Sequence, residues 1–137
     1  MHINILRGGD PHLYPLVGPL VMNHDVLAYN RNYPFRTSSD YVWFIACGEQ
    51  EEVAGFMPVQ FRRQTATINN YYVAGDRPEV FSLLLARIVA DLTHDLLLSA
   101  VVQTRHEALF AESGFDVTLR WTRYIKMFYP RHATKRL

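Results

Sequence analysis

The chain has 137 residues, 49% of them hydrophobic and 20% charged, enough for one compact core and too few for two comfortable domains. That balance excludes a disordered chain, and a net charge of +1 at pH 7 names no partner by bulk electrostatics. Charge is uneven, however: no acid follows Asp116, whereas Arg120, Arg123, Lys126, Arg131, Lys135 and Arg136 do, a run that reads first as a solvated strand and a basic tail.

Cys47 is the single cysteine, so no internal disulfide forms and a reducing, cytoplasmic setting is expected. Its place inside YVWFIAC reads as a buried, inert thiol and not a nucleophile. The N-terminus has no basic region leading into an apolar one, and the longest apolar runs are too short to span a bilayer, so no membrane partner is expected.

Ile3 and Ile5 alternate with polar neighbours in HINILR, the signature of a short strand ending at Gly8-Gly9. Asp10-Pro11 then reads as an N-cap with proline at the first helical position. Pro15 and Gly18-Pro19 interrupt the helical stretch beyond it, which predicts two short helices over 11–17 and 19–29. Residues 30–40, NRNYPFRTSSD, form a predicted mobile loop; its Tyr33, Phe35 and Arg36 are candidate substrate contacts or ordinary loop packing.

Three strands are predicted at 41–47, 53–62 and 65–73, joined by an acidic hairpin turn at 48–52 and a reversal at Arg63-Gln64. Gly55 predicts a bulge or a close backbone approach, and Asn69-Asn70 a bulge in mid-strand. A helix over 78–93 has Pro78 at its first position, Glu79 complementing the dipole, and Phe81, Leu84, Leu85, Ile88 and Leu92 on one stripe. The apolar run at 96–102 shows no alternation, which predicts a strand covered on both faces and parallel to a neighbour, with the helix as crossover. A last helix over 105–113 stops at Gly114-Phe115, residues 117–129 make one long strand or two short ones, and the tail at 131–137 is expected to fray. Residues 1–130 thus read as a single α/β domain, a mixed, mostly antiparallel twisted sheet of roughly six to seven strands with about four helices.

Taken with TRHEALFAESGF, this order resembles the GCN5-related N-acetyltransferase family, whose late helix reads Asn-x-x-Ala-x-x-Leu-Tyr-x-x-x-Gly-Phe. Leu109, Phe110, Gly114 and Phe115 match that run in register and kind, and Gln103 or Thr104 stands at its Asn. The resemblance in element order spans nearly the whole chain; the match in residues is confined to residues 65–115. It implies an acyl-CoA N-acyltransferase fold and transfer of an acetyl group from acetyl-CoA to a primary amine on a small molecule or a protein. It further implies that the pantetheine arm pairs with backbone at Tyr72-Val73, in a gap where the central strands splay. The pyrophosphate would lie on the turn into the following helix, at Gly75, Arg77, Glu79, Val80 and Phe81, where free N–H groups and the helix dipole attract anions. Gln103, Thr104 and Phe110 complete the implied donor site, and family habit implies a homodimer through the last strands.

The chain departs from the family pattern twice. Its phosphate turn lacks the glycine pair, carries Asp76 and Glu79 beside the implied phosphates, and loses an N–H donor at Pro78. Phe110 occupies the position of the tyrosine that protonates the departing sulfur. On the strand where the family often places a carboxylate, the chain offers Thr67, Asn69 and Tyr71, none of them a base at neutral pH. A water relayed through these groups, His106, or Glu52 or Asp40 from a loop are the candidates for proton acceptor.

The six histidines show no metal-ligand spacing and no metal is expected; no Gly-x-Ser-x-Gly supports a serine triad. Arg120, Trp121, Arg123, Tyr124, Lys126 and Phe128 alternate as a nucleic-acid-binding strand does, but a half-buried strand alternates in the same way, and nucleic acid is not the expected partner. Two readings stand: an N-acetyltransferase with a degenerate phosphate turn, and a protein of the same fold that serves as a binding or assembly module without catalysis.

Overall fold

The alternation in HINILR produces β1 (His2–Arg7), an edge of an eight-stranded sheet in the computed structural model, which describes residues 1–130. The expected basic tail at 131–137 lies outside the described residues. Two helices come next, α1 (Leu13–Val21) and α2 (His24–Ala28), and they correct the predicted boundaries. α1 runs through Gly18-Pro19 because Leu13 and Val17 bury against Trp43, Ile45 and Phe56, and that packing outweighs the one hydrogen bond Pro19 cannot make. Pro15 lies in the first turn, where its missing N–H costs nothing. The break comes instead at Asn23, whose Oδ1 accepts from the N–H groups of Asp25 (2.8 Å) and Val26 (3.1 Å) and so caps α2. Asp10 caps no helix; its carboxylate accepts from His12 N–H at 2.8 Å and shapes the turn before α1.

The predicted meander forms as β2 (Tyr41–Cys47), β3 (Val53–Arg62) and β4 (Thr65–Ile68), all antiparallel neighbours. The third predicted strand divides: β5 (Tyr72–Val73) returns to β3 after an interruption. Ile68 pairs with Val59 and Tyr72 with Phe56, so residues 69–71 oppose only 57–58 and one residue is extra, the bulge expected at Asn69-Asn70. Asn70 turns the chain there with φ +52°. At Gly55 the backbone approach is close: a Cβ would meet Tyr72 O at 2.8 Å and Val73 Cα at 3.1 Å.

α3 (Pro78–Leu92) buries Val80, Phe81, Leu84, Leu85 and Ile88 on one face of the sheet. It carries the chain across to β6 (Leu97–Gln103), parallel to β4 as predicted. Coverage of β6 differs from expectation: Leu98, Ala100 and Val102 are buried, whereas Leu97 is exposed and Ser99 and Val101 are half-buried, so one face is only partly covered. α4 (Glu107–Glu112) is preceded by a single 3₁₀ turn at Thr104–His106. The chain closes as a hairpin, β7 (Asp116–Arg120) and β8 (Tyr124–Phe128). The strand order is β1-β2-β3-β4-β6-β8-β7. The sheet counts eight strands because the stretches at 65–73 and 117–129 each supply two.

α1 and α2 cover the opposite face from α3 and α4. Parallel pairing of β4 with β6 ends at Ile68 and Ala100. Beyond that point β5 follows β3 while the end of β6 follows β8. The sheet therefore parts between β5 and the C-terminal end of β6. No helix among the described residues is long and apolar enough to cross a membrane.

Candidate active site at the parting of the sheet

The bulge at 69–71 sets what enters the gap. Asn69 and Asn70 line a cavity beside the α2–β2 loop, and Tyr71 is buried among Phe81, Phe110 and His106, with ring centroids 5.8, 5.5 and 5.4 Å away. The Tyr71 hydroxyl spans the parting, accepting the N–H of Gln103 on β6 at 3.0 Å and lying 2.6 Å from Nδ1 of His106. Nε2 of His106 is 2.9 Å from Oδ1 of Asp76. Asp76 also accepts from the Tyr29 hydroxyl at 2.7 Å and from Arg105 Nε at 3.1 Å. The guanidinium of Arg105 lies 4.8 Å over the Tyr29 ring.

One proton arrangement satisfies every donor. With His106 neutral and its proton on Nε2, Gln103 N–H donates to Tyr71, Tyr71 O–H donates to Nδ1, and Nε2–H donates to the Asp76 carboxylate. Burial, the largest influence, holds the His106 pKa below its ordinary value, against the opposing pull of Asp76. Burial acts to raise the pKa of Asp76, but the hydrogen bonds from Tyr29, Arg105 and His106 outweigh it and keep the carboxyl below its usual value. Tyr71 and Tyr29 are both pushed up, mainly by burial, and stay protonated. The turn delivering Asp76 is a 3₁₀ turn, Ala74–Asp76, in which Gly75 (φ +66°) and Asp76 (φ +51°) are both left-handed. A side chain at Gly75 would be strained there.

On the neighbouring side lies a cavity of about 280 Å³ lined by Asn30, Tyr33, Phe35, Arg36, Asn69 and Tyr124 among others. The loop expected to be mobile is fastened to the bulge: Asn70 Nδ2 donates to the carbonyls of Tyr33 (3.3 Å) and Pro34 (3.1 Å). Asn30 Nδ2 donates to Asn70 Oδ1 at 2.9 Å, and the Tyr124 hydroxyl donates to Asn30 Oδ1 at 2.8 Å.

The structure thus joins Tyr71 to His106, leaves Asn69 at the neighbouring cavity, and gives the other acceptor candidates different work. Asp40 accepts from Gln60 at 3.0 Å and from Ser38. Glu52 accepts from Gln50 N–H at 3.0 Å in its own hairpin turn, and Thr67 bonds Ser99 across β4 and β6 at 3.1 Å. Sequence reasoning missed Tyr29, which had no motif to announce it, and read Asp76 only as unwanted charge beside a phosphate. Cys47 is buried and its pKa is pushed up by burial, as a structural thiol should be. His2, Cys47 and Glu51 nevertheless bring ligand atoms within 4.8 Å of one another, a juxtaposition that sequence spacing did not reveal.

The sequence matches no protein-family model and no curated protein. Its fold is similar to that of ElaA from Escherichia coli, at TM-score 0.74 and 15% identity over 95% of this chain and 100% of that one. An acyl-CoA N-acyltransferase from Pseudomonas aeruginosa gives TM-score 0.72 and 14% identity over 94% and 99%. The ribosomal-protein-S18-alanine N-acetyltransferase from Escherichia coli gives 0.63 and 16% over 93% and 90%. The chain has the acyl-CoA N-acyltransferase fold, as the resemblance at residues 65–115 implied.

The residues that the resemblance assigns to an acyl-CoA fit its two ends differently. Among the described residues β5 pairs with β3 alone, so its other edge, at Tyr72-Val73, bears no strand there and suits an extended pantetheine chain. The turn into α3 does not suit a diphosphate. Asp76 places a carboxylate in it, Pro78 has no N–H, and the N–H groups of Val80 and Phe81 both turn to the Arg77 carbonyl. Arg77 itself is paired with Glu79 at 3.0 Å. Val80, Phe81 and Phe110 are fully buried core groups, and Gln103 is nearly so, while Thr104 is exposed.

Proposed function

We propose that this protein is an N-acyltransferase that moves an acyl group, acetyl in the simplest case, from a thioester to a primary amine, using Tyr71, His106 and Asp76 as a proton relay. The observation that carries this reading is the continuous hydrogen-bonded path from Tyr71 through His106 to Asp76 at the parting of the sheet. An acyl-CoA would supply the activated acyl group. As the amine attacks, the Tyr71 oxygen takes the amine's proton while its own hydroxyl proton passes to Nδ1 of His106. Asp76, 2.9 Å from Nε2, stabilises the imidazolium that results. The same path run backward returns the proton through Tyr71 to the departing sulfur, so no net proton is gained or lost by the protein. Tyr71 therefore does from the bulge between β4 and β5 what the family's tyrosine does from the helix position occupied here by Phe110, whose ring lies 5.5 Å from that of Tyr71.

The cavity at Tyr33, Phe35, Asn69 and Asn70 is the proposed acceptor pocket. Its apolar wall and amide groups suit an amine carried on a partly apolar body, whether small molecule or peptide. The neighbour whose name specifies an alanine N-acetyltransferase supports amine chemistry and does not choose between these. A homodimer belongs to the proposal as well, with exposed Leu119 and Trp121 beside edge strand β7 as its contact.

One observation favours the non-catalytic reading: Tyr71 and His106 are each only 1% exposed, so a donor must displace packed side chains to reach them. Thermal denaturation with acetyl-CoA separates the two. The enzyme reading expects a melting temperature that rises with ligand concentration; no shift at millimolar acetyl-CoA favours the module.

A further inference from the structure

The parting of the sheet opens onto a second cleft, of about 450 Å³, lined by Tyr29, Arg31, Gln103, Arg105, Arg123 and Tyr124 among others. Three arginines and no acid face it. Arg105 is neutralised by Asp76, whereas Arg31 and Arg123 have no ion-pair partner among the described residues. Like charges brought to one concave surface repel, and no ion pair among the described residues offsets those of Arg31 and Arg123. A second observation is independent of charge. Gln103 is 7% exposed, its Oε1 accepts from Arg105 Nη1, and its Nε2 has no hydrogen-bond partner. The amide cannot be turned over, because that would set an NH₂ against the guanidinium. A buried amide donor left unpaired is costly, and a ligand oxygen reaching it recovers that cost.

We infer that this cleft is an oxyanion site, in which Arg31 and Arg123 take a phosphate or carboxylate and Gln103 Nε2 donates to one of its oxygens. The site does not depend on Tyr71 and His106 being catalytic. Two sources offer the anion: the phosphates of an acyl-CoA, which the α3 turn does not suit, or an acidic group on the acceptor. Both present the same chemistry to the arginines.

The test is a titration of the full chain at fixed ionic strength with inorganic phosphate, CoA and pantetheine, followed by calorimetry. Arg31→Ala, Arg123→Ala and the double variant serve as comparisons; both side chains are exposed, so folding is preserved. Phosphate should bind, and the double variant should weaken it by about tenfold or more. If CoA binds through the same arginines and pantetheine does not, the anion is the donor's. If phosphate binds through them while CoA affinity is unchanged by the substitutions, the anion is the acceptor's. Absence of phosphate binding, or binding that ignores both substitutions, overturns the inference. Failure of acyl transfer with phosphate binding intact would instead count against the proposed activity alone.

Discussion

His106 is a core histidine by burial and, by its connection to Tyr71 and Asp76, a member of the proposed relay, and its protonation decides which role is available. Its folded pKa lies below the ordinary value of about 6.5, so the unfolded chain binds the proton more readily. Stability contributed by neutral His106 is fully present above that value and falls as pH drops through the window beneath it. Urea unfolding between pH 7 and 5 should show this loss, and His106→Gln should reduce it. Activity should share the same acid limb, since protonated Nδ1 cannot accept from Tyr71. Asp76 raises the His106 pKa; Asp76→Asn is therefore expected to move the acid limb of the pH–rate profile to lower pH, and an upward move would contradict the assigned relay. Tyr71→Phe strands the Gln103 N–H and His106 Nδ1 in the core, an expected loss of about 1–3 kcal/mol measured by denaturant unfolding.

Among the elements, the bulge between β4 and β5 does the positioning, because it puts Asn69 and Asn70 at the cavity and Tyr71 in the gap. Its stability rests on β5 lying against Gly55. Gly55→Ala should push the Tyr72-Val73 backbone off β3, where the contacts of a new Cβ are backbone atoms that cannot swing aside. The expected cost is about 1–3 kcal/mol, read as a lowered melting temperature with loss of acyl transfer. Asn69-Asn70 and Gly55 were legible in the sequence because strand formers tolerate neither residue type without a reason. The α1 boundary was not, because Gly18 and Pro19 break helices by local preference while burial of Leu13 and Val17 acts from elsewhere in the fold. The one-sided covering of β6 escaped for a related reason: Leu97 and Val101 are as apolar as buried residues, and only the tertiary arrangement leaves their face partly open.

For the molecule as a whole, the order of strands and helices identified the fold, since a crossover helix between an antiparallel meander and a continuous apolar strand leaves few topologies. The chemistry of the site was less legible. Asp76 lies 30 positions from His106 and 47 from Tyr29, and no local pattern joins them. Comparison with the family's glycine-rich turn made Asp76 look like a defect, whereas in the folded chain it anchors the proposed relay. If the titration assigns the anion of the inferred cleft to the donor, the same departure explains why its phosphates do not sit at the start of α3. Thiol release from acetyl-CoA over a panel of primary amines tests the proposed transfer most directly, with folded wild type and Tyr71→Phe compared at pH 8. Amine-dependent release by the wild type, slowed about 10²–10⁴-fold in Tyr71→Phe, is the predicted result. A folded wild type that releases no thiol with any amine, or a Tyr71→Phe that matches it, would contradict the proposed transfer and its relay.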